Sequence, residues 1–300
     1  MKVGLGLPTS FPSDQGQLVM EWARRAEAAG FSALSLLDRL VYDNFDPLIA
    51  LTAAAAVTER IRLMTAILIV PLRSAGLLAK ETACLDALSN GRLTLGVGVG
   101  NRKDDFVVAG TTHGDRGRRF DDQLAVMKRI WAGDDAGDGV GPVGPAPVQA
   151  GGPPLIFGGR SEVALRRVAQ WGEGYVTGSV ADVTGAQLTF DIAARLWREA
   201  GRPGSPLFIG SLTCAIGGVE AQATADAGQR YYSYQGGRPA NAPGQPGSSP
   251  AANAADTPST AAAIQEMLKQ CEAAGMDEVF VRPAGVTNPD QVDRLAEAVL

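Results

Sequence analysis

Few residue clusters in this sequence are suited to chemistry, and most of them fall at the ends of short apolar runs. Gly158-Gly159-Arg160-Ser161 closes one such run and opens an amphipathic segment. Free backbone N–H groups at a helix start, a hydroxyl and a guanidinium together suit a phosphate. A Ser161 that only caps its helix accounts for the same residues. Gly96-Val97-Gly98-Val99-Gly100-Asn101 looks like a dinucleotide loop, but Asn101 holds the sixth position. Charged Arg102, Lys103, Asp104 and Asp105 then follow in place of an opening helix, so that reading fails on context. Glycines there either let the backbone approach a flat ring or make a tight turn.

Asp38-Arg39 and Arg73 follow two further apolar runs. A buried Asp–Arg pair at a rim explains them without a ligand. His113 is the only histidine and sits in a polar loop, so a general-base role competes with that of an exposed loop residue. The pairs Asp104-Asp105 and Asp121-Asp122 read as solvated charges near helix starts. Cys84, Cys214 and Cys271 are too far apart for a zinc or redox motif. No metal site is expected.

The elements that must position these residues are read from 300 residues, 45% hydrophobic and 20% charged, as in a globular protein. A net charge of −5 argues against a general nucleic-acid binder. The longest apolar stretch, 63–72, contains Pro71 and falls short of the roughly 20 residues a bilayer requires. No secretory leader is read at the N-terminus, so the expected location is the cytoplasm. Strands are expected at 3–7, 32–37, 62–70, 92–99, 155–157, 174–177, 207–216 and 278–282. Helices are expected at 18–29, 47–57, 76–88, 119–131, 161–171, 183–200, 220–232, 259–274 and 289–300. Two Gly/Pro-rich stretches, 134–154 and 235–258, read as loop insertions. The alternation predicts an α/β fold, a (β/α)8 barrel as one domain over 1–300, with a doubly wound sheet as the competitor. In a barrel the clusters above gather at the C-terminal ends of the strands, where barrel chemistry sits.

A series of motifs resembles the bacterial luciferase-like flavin-dependent oxidoreductases. It comprises EAAGF at 27–31, Asp38-Arg39, Asp46-Pro47-Leu48, TERIRL at 58–63, LDALSNGRL at 85–93 and LGVGVG at 95–100. It continues with Arg116-Gly117, Arg119-Phe120-Asp121, Ile130-Trp131 and GPPLIFGG at 152–159. The resemblance implies a TIM barrel holding FMN or the deazaflavin F420 in its mouth. Carried over by position, Asp38 lies near the ring's polar edge. Gly98, Val99, Gly100 and Asn101 lie along the ring or ribityl chain, and Gly158, Gly159, Arg160 and Ser161 bind phosphate with help from Arg116. A non-prolyl cis peptide behind the ring is expected at Ala66-Ile67.

The sequence also departs from the pattern. Arg39, followed by Leu40, stands where luciferases carry a catalytic histidine, and Met64 stands where many relatives have glycine. Asp38, Arg39 and Asn101 are the remaining catalytic candidates. The leading expectation is a two-component monooxygenase using reduced FMN from a separate reductase, and O2, on a hydrophobic small molecule. Phe11, Tyr42 and Phe45 are expected to line its pocket. F420-dependent hydride transfer and a non-catalytic flavin-binding barrel are the alternatives. Relatives of this kind commonly form homodimers.

Overall fold

A computed structural model of the chain describes residues 1–8, 16–233 and 257–300. Eight parallel strands close on themselves in chain order. They are β1 (Lys2–Gly6), β2 (Ala33–Leu36), β3 (Arg62–Ile69), β4 (Leu93–Gly98), β5 (Leu155–Gly158), β6 (Gly174–Val176), β7 (Leu207–Thr213) and β8 (Glu278–Arg282). Around them lie α1 (Gln17–Ala29), α2 (Pro47–Ala55), α3 (Ala75–Leu88), α4 (Lys103–Val108), α5 (Arg116–Trp131), α6 (Glu162–Trp171), α7 (Val183–Glu199), α8 (Gly218–Ser233), α9 (Ala261–Ala273) and α10 (Asp290–Val299). This is the (β/α)8 barrel, and β8 pairing with β1 excludes the open sheet.

The helices form where apolar spacing and caps agree. In α1, Val19, Trp22, Ala23 and Ala26 give one buried stripe. The Asp46 carboxylate caps α2, accepting from Leu48 N and Ile49 N with Pro47 in the first turn. One expectation fails. The charged run after Gly100 does open a short helix, α4, whose Phe106 is buried and whose first turn carries Asp104 and Asp105. It lacks an apolar period because tertiary partners hold it. Of the two expected insertions, 134–154 carries no regular element, whereas 235–258 lies outside the described residues except for Thr257 and Pro258.

The main core lies between sheet and helices, and a second fills the barrel itself. Ala33, Met64, Ile156, Val176, Ile209 and Phe280 pack inside, with Ile67 against them. Burying each such large side chain contributes about 1.5–3 kcal/mol. Below this layer Glu278 closes the N-terminal end, where its carboxylate accepts from Ser32 Oγ at 2.5 Å and pairs with Arg62. The inward positions above the layer are the ones that can meet a ligand.

Candidate active site at the barrel mouth

β3 and β4 build one wall. Gly96, Gly98 and Gly100 alternate along the β4 side, opposite Thr65, Ile67 and Ile69. A Cβ at Gly96 would lie 1.9 Å from the Thr65 carbonyl oxygen, one at Gly98 2.3 Å from Ile67 Cδ1, and one at Gly100 2.6 Å from Ile69 Cγ2. The β3–β4 register shifts between Thr65 and Leu68, and the Ala66–Ile67 peptide is cis, as the resemblance implied. A Cβ at Gly158 would likewise lie 2.7 Å from Ile67 Cδ1. The glycines thus seat Ile67 between β4 and β5, with its side chain half-exposed at the mouth.

Two ion-pair networks hold the rim. Asp38 is buried and accepts from Ile69 N at 2.9 Å and from Arg73 Nη2 at 3.1 Å. Burial pushes its carboxyl above the usual range, opposed by the Arg73 charge and the Ile69 N–H. Arg73 also reaches Asp46 at 2.7 Å. The expected Asp–Arg pair is therefore Asp38–Arg73. Arg39 turns the other way and is buried against Asp105 at 2.8 Å and Asp104 at 3.3 Å. Asp105 is 1% exposed, so it is not the solvated charge expected from the sequence. Tyr42 stands edge-on to Tyr231, with Arg39 near both rings. Phe45 packs at the core edge, and Phe11 lies outside the described residues.

The loop after β4 is tied from α5. Arg116 donates through Nε to Gly100 O and through Nη1 to His113 O, both at 2.9 Å, so these donors hold the loop. His113 is half-buried rather than exposed, edge-on to Phe106 at 5.0 Å. Its Nε2 donates to Asn101 O at 3.2 Å, which leaves Nδ1 to face Arg116. Burial, then the Arg116 charge, lowers the imidazole pKa and favours the neutral ring. The unfolded chain takes that proton near pH ~6.5, so this contribution is full above that pH and is lost as pH falls through the lowered folded value. Urea unfolding at about pH 7 and about pH 5.5 is expected to show a smaller acid loss in His113→Gln than in the parent. Equal losses would remove His113 from the pH response.

At the end of β5, Gly158, Gly159, Arg160 and Ser161 lead into α6. Gly159 has φ +123°, which a side chain would strain. Ser161 Oγ accepts from Ala164 N at 3.3 Å, so the cap is present. Gly159, Arg160 and Ser161 are exposed, leaving the start of the helix accessible to an anion.

Three polar groups escaped sequence reasoning because each lies within, or at the end of, a largely apolar strand. Ser35 on β2 and Ser211 on β7 are buried, and Arg282 ends β8. Ser35 Oγ, Ser211 Oγ and Arg282 Nε are buried atoms without a hydrogen-bond partner among the described residues. Inward alternation with Ala33, Ile209 and Phe280 is the signal that could have found them. Among the described residues, no cluster of His, Cys, Asp and Glu is arranged to hold a metal ion.

Residues 1–299 match the family model of the luciferase-like monooxygenases. An uncharacterized protein of Mycobacterium tuberculosis is 32% identical over 232 residues, 66% of this chain and 80% of that protein. Among solved structures, the monooxygenase RslO1 from Streptomyces bottropensis superposes with a TM-score of 0.82 at 22% identity, covering 99% of this chain and 98% of that one. The coenzyme F420-dependent tetrahydromethanopterin reductase from Methanopyrus kandleri gives 0.77 at 17% identity, covering 100% and 99%.

Proposed function

This chain belongs to the luciferase-like monooxygenase family, and on that premise we propose that it is a two-component monooxygenase using reduced FMN and O2 on an organic substrate. The observation that carries this reading is the accessible start of α6 at the C-terminal edge of β5, beside the wall that seats Ile67. Backbone N–H groups and the helix dipole favour a phosphate there. Arg160, exposed and next to Ser161, adds a positive charge. The unpartnered atoms of Ser35, Ser211 and Arg282 leave polar capacity inside the mouth for the organic substrate. These residues fit a flavin mononucleotide, with Gly158 to Ser161 at its phosphate and Ala66, Ile67, Gly98, Val99, Gly100 and Asn101 along the wall.

When bound, reduced flavin supplies two electrons to O2, one oxygen atom going to the substrate and the other to water. The chain's own contribution is placement. Asp38 fixes the end of β3 through Ile69 N–H. Arg116 and neutral His113 fix the carbonyls of Gly100 and Asn101. Ile67 and the inner core keep water from the floor. Among the described residues no nicotinamide-nucleotide fingerprint opens a helix, which agrees with a separate reductase supplying the reduced flavin.

Anaerobic titration with FMN and F420, each oxidised and reduced, tests the reading. Tight binding of reduced FMN is expected, and Arg160→Ala should weaken FMN about tenfold while leaving riboflavin unchanged. A preference for F420 would replace oxygenation with hydride transfer. Binding of neither would support a barrel without this cofactor.

A further inference from the structure

Opposite the phosphate-binding side, the barrel presents a second charge-bearing wall. β8, β1 and β2 are neighbours in the closed sheet, half a turn from β4 and β5. Gly6 on β1 lies between Ser35 on β2, its register partner, and Arg282 on β8. A Cβ at Gly6 would fall 2.4 Å from Arg282 Cγ, so the absent side chain is what lets the arginine stem lie across β1. On the other side Arg282 pairs in register with Thr213, and Ser211 follows one inward step below on β7.

Two arginines on the rim are neutralised by carboxylates, Arg39 by Asp105 and Asp104 and Arg73 by Asp38 and Asp46, and Arg116 donates to the carbonyls of Gly100 and His113. Arg282 has no ion pair among the described residues, and its buried Nε has no acceptor. Two buried serine hydroxyls in the same region also lack partners among the described residues, with Ser35 1% and Ser211 6% exposed. A half-buried guanidinium and two buried hydroxyls are costly when left unmatched. A group that accepts from all of them would be an anionic oxygen pair.

We propose that Arg282, with Ser35 and Ser211, is the specificity site for a carboxylate carried by the substrate. It deepens the monooxygenase reading and rests on it for the word substrate. The substrate class is then an organic acid with an apolar body. The body meets Ile67 and the Met64–Phe280 layer while the carboxylate meets Arg282, and the α6 start remains for the cofactor's phosphate.

The test uses the full chain without cofactor, with benzoate as probe and benzamide as its neutral isostere. Benzoate is expected to raise the thermal midpoint and to titrate saturably, and benzamide to do neither. Arg282→Met should weaken benzoate about tenfold or more, and Ser211→Ala by less. FMN affinity should stay at the parent value in both variants. Equal effects of benzoate and benzamide on the parent protein would overturn the proposal even if Arg282→Met failed to fold. Loss of reduced-FMN affinity in Arg282→Met, with benzoate binding intact, would also overturn it by giving the guanidinium to the cofactor. Failure of the monooxygenase reading would show separately, as absent FMN binding beside intact benzoate binding.

Discussion

Asp105→Ala is expected to remove about 3–5 kcal/mol of folding stability, which urea unfolding would read as a lower midpoint at unchanged slope. Asp105 accepts from Arg39 Nε at 2.8 Å, Val41 N at 2.8 Å and Leu40 N at 3.1 Å. The Arg39 side chain is 2% exposed, so removing the carboxylate strands its charge in a low-dielectric site. Asp104 lies farther, at 3.3 Å, and is more exposed, so it is a weak substitute. Removing both charges as Arg39→Met with Asp105→Leu should recover only part of the loss, because the desolvation cost goes with the pair while Leu40 N and Val41 N still lose their acceptor. A single-variant loss below about 1 kcal/mol would show that water reaches the pair and screens it.

Gly96→Ala is expected to be as severe through sterics. The added Cβ would meet the Thr65 carbonyl oxygen at 1.9 Å, a backbone atom held by the sheet, with Met64 Cε at 3.1 Å behind it. Thr65 Oγ1 also donates to Gly96 O at 2.7 Å, which locks the two strands at the point of collision. Overpacking usually costs about 1–3 kcal/mol where side chains can move. Here a backbone would have to move, so the upper end of that range or beyond is expected by thermal or urea denaturation. Gly76→Ala, on α3 with open space around it, is the control and should not destabilise.

Much of the barrel was legible because parallel strands buried on both faces read as short apolar runs between amphipathic helices. Ser161 was legible as a cap by residue type and place. What could not be read was pairing at a distance. Asp105 looked like a solvated charge because Arg39, its partner, lies 66 positions away. Gly96 read as either a close approach to a ring or a tight turn, whereas its size is set by a carbonyl on the neighbouring strand. Ser35 and Arg282 were invisible as a site because only barrel closure brings β2 and β8 to either side of β1.

The rim networks bear on how this barrel can be re-engineered. Barrels are often treated as modular, with each loop open to exchange on its own. Here the turn after β2 is bonded to the helix after β4 through Arg39, Val41 and Asp105. The same turn is bonded to the segment after β3 through Asp38, Asp46 and Arg73. Gln123 on α5 donates to the Arg73 carbonyl at 2.6 Å and ties α5 to the second network. Grafts at any one of these segments will couple to the others rather than add. The transferable unit is the set of three, residues 38–46, 70–74 and 101–123, moved together.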